Sequence, residues 1–282
     1  LKINIQSLNE FKNELVKSKK TLNTIIAYIT DLRQFERFYT GDMEDLLTED
    51  VERWQQSFLD RGITPKSINR KLISLKRYID FINNRPEYGV RILAVVRCLR
   101  VQRQWFLKEP LTKGEFDRMV RAAEEEKDLR AVALFYTLYL TGGRISEVLQ
   151  LRVSSIEKIS VSVRGKGDKY RDLLLSDQLR EQVEKYVEDR APGEYLFKNK
   201  ANDRPISRQT AANIIKRYAG KCKIKLQRAH LHNLRHLFAL KLLAEGVPPT
   251  QLADMLGHES VDTTRIYTQL PKEQLLKILN KI

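Results

Sequence analysis

The sequence predicts a mainly α-helical protein with a small β-sheet, in two parts: a helical domain over residues 1–85 and a mixed α+β domain over residues 110–282. A basic linker, residues 86–109, joins them. Three observations predict this arrangement. Apolar residues recur at helical spacing up to residue 85 with no strand-like alternation. At Asn83-Asn-Arg-Pro86 the periodicity stops, and Arg91, Arg97, Arg100, Arg103 and Lys108 follow against only Glu87 and Glu109. In the remainder, two short apolar runs flank a glycine-rich turn among helical stretches, the pattern of a β-hairpin in a helical domain.

In the first part, Phe11 and Leu15, then Leu22, Ile25, Ile26, Ile29, Leu32 and Phe35, mark two helices, with Thr21 as cap of the second. Thr48-Glu-Asp-Val51 is an N-terminal capping signal ahead of Val51, Trp54, Phe58 and Leu59. Gly62-Ile-Thr-Pro65 closes that helix and opens the next, through Ile68, Leu72, Leu75, Ile79 and Ile82, because proline suits only the first helical turn. The other face of this last helix carries Lys66, Arg70, Lys71, Lys76 and Arg77. A charge run on a helix is ordinarily a solvated face; one this purely positive also fits contact with DNA.

In the second part, Leu111-Thr-Lys-Gly-Glu115 starts a helix, and an apolar helix from about Leu129 to Leu140 ends at Thr141-Gly-Gly143. Ile159–Val163 and Leu173–Leu175 are the strands flanking Arg164-Gly-Lys-Gly-Asp168, and Glu194–Phe197 is a candidate third strand. Ser207 caps a helix bearing Arg208, Gln209, Asn213, Lys216 and Arg217. That face either enters a major groove, where Arg and Gln have suitable donors and acceptors, or is an ordinary exposed helix.

Lys+Arg of 51 against Asp+Glu of 36 gives a net charge of +15 and a pI near 9.7, which points to a polyanionic partner and on composition alone leaves DNA, RNA and anionic membrane open. The excess is shared, +6 before residue 110 and +9 after it, as suits two lobes gripping one duplex. No apolar run approaches about 18 residues, so no membrane span is expected. The polar N-terminus does not resemble a signal peptide, and its lack of a Met suggests a trimmed or tagged chain. Cys98 and Cys222 fit neither a metal site nor a disulfide framework, so a reduced, cytoplasmic location is expected.

All four histidines, His230, His232, His236 and His258, fall in one C-terminal block. There His232-Asn-Leu-Arg235 is followed by Leu-Gly-His258 and by Arg-Ile-Tyr267. The block lacks cysteine ligands, and Arg235 would sit badly beside a dication, so no metal is expected. Tyr267 is the candidate nucleophile; a free phenol, with a pKa of about 10, needs cations and a proton acceptor nearby to attack at neutral pH. Arg144 and Arg235 are candidate phosphate clamps, since guanidinium forks match two phosphate oxygens and keep their charge; the plainer readings are a helix-start position for Arg144 and an exposed face for Arg235. Glu147 lies one helical turn after Arg144, where it either orients that cation or forms an incidental surface pair.

These pieces together resemble the tyrosine recombinase (phage integrase/Xer-type) family over nearly the whole chain. Thr21-Leu-Asn-Thr-Ile-Ile-Ala-Tyr28, Asp31-Leu-Arg-Gln-Phe35 and Ser67-Ile-Asn-Arg-Lys-Leu72 are similar to its helical core-binding domain. Thr141-Gly-Gly-Arg-Ile-Ser-Glu147, Gly165-Lys-Gly-Asp-Lys169, His232-Asn-Leu-Arg-His236, Leu256-Gly-His258 and Ile266-Tyr267 are similar to its catalytic domain. One HxxR is weak; five motifs in order are highly specific. Two positions depart from the family's pattern: Gly143 where Leu is common, and Leu231 where Pro is common.

The resemblance implies a site-specific recombinase whose catalytic residues are Tyr267, Arg144, Lys166, His232, Arg235 and His258, supported by Glu147. Lys66, Arg70, Lys71, Arg208, Gln209 and Lys216 are the expected DNA contacts. Lys166 would protonate the departing 5′ oxygen, with Lys169 as its rival. His232 and His258 would assist proton transfer at Tyr267 and hydrogen-bond the phosphate. The implied reaction is a two-step transesterification through a 3′-phosphotyrosyl link, without cofactor, metal or ATP. The implied partner is a double-stranded DNA site with inverted half-sites, bound by a homodimer. Two such sites would join in a homotetramer through the C-terminal helix, where Leu275, Ile278, Leu279 and Ile282 form an apolar stripe. Core-binding motifs that begin near residue 8 favour an Xer-like or transposon/plasmid resolvase type. The alternatives are a type IB topoisomerase-like enzyme, an inactive DNA-binding descendant of a recombinase, and a basic RNA-binding module.

Overall fold

The computed structural model describes residues 2–101, 110–165, 167, 169–199, 201, 202, 204–257, 264 and 267. The chain forms two compact units, Leu1–Arg103 and Gln104–Ile282. As expected, the described residues are mainly helical with one small antiparallel sheet.

Among its described residues the first unit holds four α-helices, α1 (Ile5–Lys17), α2 (Leu22–Phe38), α3 (Thr48–Leu59) and α4 (Pro65–Asn83). Their starts follow local chemistry. Asn4 and Ser7 cap α1 reciprocally, and Thr21 and Thr64 accept from Ser/Thr amides at the starts of α2 and α4. At α3 the cap differs from the expectation: the Asp50 carboxylate accepts the Leu47 amide at 3.0 Å, and Thr48 is already helical. The Thr48 hydroxyl instead accepts the amide of Val95, at 3.0 Å.

Aromatic edges fill the core: Phe35 meets Trp54 at 4.9 Å, Trp54 meets Phe58 at 5.1 Å, and Phe11 meets Tyr78 at 5.4 Å. One polar knot joins α2 to α4. The fully buried Asp31 carboxylate accepts both Arg70 Nη groups (2.5 and 2.8 Å), Lys71 Nζ (3.2 Å) and Ser74 Oγ (2.8 Å).

Beyond α4 the chain runs back along it. Asn83 exchanges two hydrogen bonds with the backbone of Ile92 (2.7 and 2.9 Å), and Asn69 does the same with Leu99 (both 2.8 Å). The lengths match: fourteen helical residues rise about 21 Å, and seven extended residues span about 23 Å. The part of the basic linker up to Leu99 is thus a strap on the first unit; Arg103 and Lys108 lie outside the described residues.

The second unit begins with α5 (Lys113–Glu125), started by a Thr112/Glu115 capping box, and α6 (Leu129–Thr141), capped by Asp128. Helix α6 is apolar nearly all round and packs against α5, α8 (Asp177–Val187), α9 (Arg208–Lys221) and α10 (Leu231–Ala244). Between lie α7 (Ile145–Val148) and the hairpin of β1 (Ser160–Arg164) and β2 (Tyr170–Leu174), with Val163 opposite Arg171. Helix α11 (Pro249–Leu256) follows α10.

The expected third strand does not form. Tyr195 makes an isolated bridge to Arg152, and Leu196 N–H donates to Leu151 O at 2.8 Å. The partner there is a loop that offers too few aligned groups for a ladder, while Leu196 and Phe197 still fill the core. No helix among the described residues is long and apolar enough to cross a membrane.

Replacing Asp31 by Asn removes the charge that Arg70 and Lys71 share. It should cost the first unit about 3 kcal/mol, as breaking one side of a buried ion pair does. Denaturant unfolding followed by Trp54 fluorescence in a Trp105→Phe background measures it, and an unchanged midpoint would contradict the assigned role of the knot.

Candidate active site

Three arginines from three elements converge on the end of α11. Arg144 precedes α7, Arg171 sits on β2, and Arg235 lies in α10, 1% exposed. The last carbonyls of a helix lack intrahelical donors and carry the negative end of its dipole, so cations are favoured there. Met255 O accepts from Arg171, Leu256 O from Arg235, and Gly257 O from Arg144 at 3.2 Å. Arg235 also reaches Gly142 O, the C-cap of α6, at 2.9 Å.

Glu147 ties the group together. Its fully buried carboxylate accepts Arg144 Nη1 at 2.9 Å and the Arg144 amide at 2.7 Å. It also accepts Arg171 Nη2 at 2.7 Å and Nε at 3.3 Å. Burial pushes the carboxyl pKa up, but hydrogen bonds from the Arg171 guanidinium and the Arg144 amide, then the charge of Arg171 and the Arg144 guanidinium hydrogen bond, hold it below the usual value. Burial, then the charges of Arg144 and Arg171, lowers Arg235 to about 10, which leaves it cationic at neutral pH.

Two glycines make the close approach possible. Gly142 (φ +59°) and Gly257 (φ +61°) end α6 and α11 in the left-handed region. A Cβ on Gly142 would lie 2.3 Å from the Phe238 ring, and one on Gly257 would lie 2.6 Å from Arg171 Cδ. Gly143, where the family commonly has Leu, has Val148 and Thr141 side chains close against it, so the site is closed to a larger residue.

A pocket of about 250 Å³ opens over this cluster, lined by Gly143, Arg144, Ile145, Ser146, Arg208, Leu231, His232 and Arg235. His232 keeps an exposed edge there, yet desolvation by the surrounding protein, then the charges of Arg235 and Arg144, push its pKa down. Its neutral form is therefore favoured. Tyr267 is 4% exposed, within the cluster of Phe238, Leu252 and Leu256. Its hydroxyl lies 2.8 Å from His236 Nδ1. Burial raises the phenol pKa, opposed by the charge and hydrogen bond of Arg235 and the charge of Arg144.

Of the residues singled out from sequence, Arg144, Glu147, His232 and Arg235 come together, and Arg208 joins them on the pocket wall. Lys166 and His258 lie outside the described residues. Gln209 donates to Asn213 at 2.8 Å, and Lys216 and Lys66 are exposed. Arg70 and Lys71 are engaged inside the first unit by Asp31, and Lys71 also donates to Gln34 at 2.5 Å and lies over the Phe58 ring.

Sequence reasoning missed two residues. Arg171 lies on the same face of β2 as the buried Leu173, and a cation at an inward strand position signals a buried partner. His236 lies one turn after His232 on the same face of α10, its ring centroid 4.3 Å away.

Histidine NMR should place the His232 midpoint below the ordinary imidazole value of 6.5, and Arg144→Ala should move it upward by removing one of the charges. The unfolded chain then binds this proton more tightly than the native one, so this group costs stability as pH falls through 6.5. A midpoint at or above that value would contradict the electrostatic picture.

Residues 109–274 match the phage integrase family, more than half of the chain, and residues 8–85 match the phage integrase N-terminal SAM-like domain. The chain is 27% identical over 288 residues to a tyrosine recombinase of Pseudothermotoga lettingae, covering 98% of this chain and 97% of that protein. It is 29% identical over 293 residues to tyrosine recombinase XerC of Staphylococcus carnosus, covering 98% and 95%. Its fold is similar to that of XerH bound to a palindromic difH substrate in a post-cleavage complex (TM-score 0.75, 19% identity, 99% and 89% covered). It is equally similar to a lambda integrase dimer bound to a COC′ core site (TM-score 0.75, 18% identity, 94% of each). The chain belongs to the phage integrase family, the tyrosine recombinases, a class of DNA strand-transferring enzymes.

Proposed function

We propose that this protein is a site-specific DNA recombinase that cuts and rejoins duplex DNA through a 3′-phosphotyrosyl intermediate on Tyr267. The observation that carries this reading is the assembled cationic pocket: guanidinium groups of Arg144 and Arg235, held by Glu147 and helix ends, beside a buried tyrosine. In this reading Arg144 and Arg235 clamp the non-bridging oxygens and take up the extra charge of the pentacoordinate transition state. Neutral His232 donates a hydrogen bond to the same phosphate. Tyr267 attacks phosphorus, the bond to the 5′ oxygen breaks, and Lys166 supplies that oxygen's proton. A 5′-hydroxyl from a partner duplex then reverses the step. One phosphodiester replaces another, so positioning and charge carry the catalysis.

Duplex DNA is the partner, in keeping with the DNA-bound recombinases that share this fold. This reading retains Lys66, Arg208, Gln209 and Lys216 as contacts; Arg70 and Lys71 act chiefly through Asp31. The protein binds inverted half-sites as a dimer, and two sites pair in a tetramer through residues 272–282. The likeness to tyrosine recombinase XerC of Staphylococcus carnosus favours an Xer-like type.

Covalent capture tests the chemistry. The probe is a nicked suicide duplex carrying the sequence that the protein selects from a randomised duplex pool. The wild type should form a denaturation-resistant 3′ adduct, Tyr267→Phe none, and Arg235→Ala an adduct about 100-fold more slowly. Specific binding without an adduct would favour an inactive DNA-binding protein instead. Deleting residues 272–282 should leave single-site binding intact and abolish cooperative gel shifts; unchanged cooperativity would sink the assembly proposal.

A further inference from the structure

Tyr267 is held by a histidine that the family-based assignment leaves out. His236 is 8% exposed and Tyr267 4% exposed, and the 2.8 Å contact between Nδ1 and the phenol joins them inside the protein. The rings are tilted at a centroid separation of 5.2 Å. The tyrosine backbone is pinned as well, since its N–H donates to the carbonyl of the buried Thr264 at 2.9 Å. His232, one turn earlier on α10, meets His236 edge-on and lines the pocket above the arginines. The two imidazoles thus stand on different sides of the reaction: His232 at the phosphate pocket, His236 at the nucleophile's own oxygen.

We infer that His236 is the proton acceptor for Tyr267 during cleavage and the donor that returns the proton during rejoining. This rests on the reading of Tyr267 as the nucleophile. The resting tautomer carries its hydrogen on Nε2, so the Nδ1 lone pair accepts the phenol O–H. In cleavage the phenol O–H bond breaks as an N–H bond forms on Nδ1. The phenolate pair makes the bond to phosphorus, and the bond to the 5′ oxygen breaks. The imidazolium then faces the ester oxygen of the phosphotyrosine. In rejoining, the incoming 5′-hydroxyl loses its proton to the group that supplied one before, and Nδ1–H returns its proton to the departing phenolate. Atoms and charge close over the cycle with no added reactant. A buried phenol gains little help from water, so a base already hydrogen-bonded to it has the required reach.

The test separates proton transfer from packing. His236→Asn keeps a polar side chain of similar branching but cannot accept the proton, and His236→Gln serves as a second variant if the first melts early. Single-turnover adduct formation on the nicked duplex should slow about 100-fold in either variant, with sealing of a preformed adduct slowed to a similar degree. Installing a trifluorotyrosine at position 267, whose phenol ionises far more readily, should recover at least about tenfold of the loss in the variant and change the wild type little. A variant rate within about threefold of wild type, or a loss that the acidic phenol does not relieve, would overturn the assignment and leave His236 as a packing residue. Adduct formation by Tyr267→Phe, or none by the wild type, would instead overturn the nucleophile itself and this inference with it.

Discussion

The buried carboxylate of Glu147 is the interaction on which the site depends. Without it, Arg144 and Arg171 would face each other and Arg235 across a space largely closed to water, where like charges repel strongly. One carboxylate and the three terminal carbonyls of α11 hold the three guanidinium groups in place. Three cations against one anion leave an excess of two positive charges, and a phosphodiester gains a second negative charge only on reaching a pentacoordinate state. In the proposed reaction the cluster would therefore match the transition state better than the ground state, which is the condition for catalysis by differential binding. Arg171 belongs to this frame as a positioning residue; it anchors the hairpin to Glu147 and α11, while Arg144, bonded to the same carboxylate, lines the pocket.

The first unit uses the same device for a different end. Asp31 gathers Arg70 and Lys71 and so fixes α2 against α4, while Lys66, Lys76 and Arg77 remain exposed on α4. A single cationic stripe in sequence thus divides into structural cations and solvent-facing ones. The division follows from reach: one turn separates Arg70 from Ser74, and both meet the same buried oxygen.

Elements governed by local chemistry were legible in the sequence. Pro65 and Thr64 start α4, Thr112 with Glu115 starts α5, and Gly142 ends α6, each by a rule that acts within a few residues. The hairpin and the grouping of Arg144, Glu147, His232 and Arg235 were legible too, because the motifs occur in order. Features set by distant partners were not. The strap rests on Asn69 and Asn83, whose amides pair with backbone 30 and 9 residues away. The Tyr195 segment reads as a strand because a short aromatic and apolar run cannot reveal whether an edge awaits it. Nothing local distinguishes His236 among the four histidines, since spacing alone cannot say which ring reaches Tyr267 across 31 residues.

The most direct test of the central claim is the rate of adduct formation by Glu147→Gln measured beside its affinity for the same duplex. If the carboxylate assembles the cationic site, the rate falls about 100-fold while the duplex Kd stays within about threefold, because the charge acts on the transition state and not on the DNA backbone. A rate that matches wild type, with the protein folded and bound, would mean that the arginines hold their geometry without Glu147.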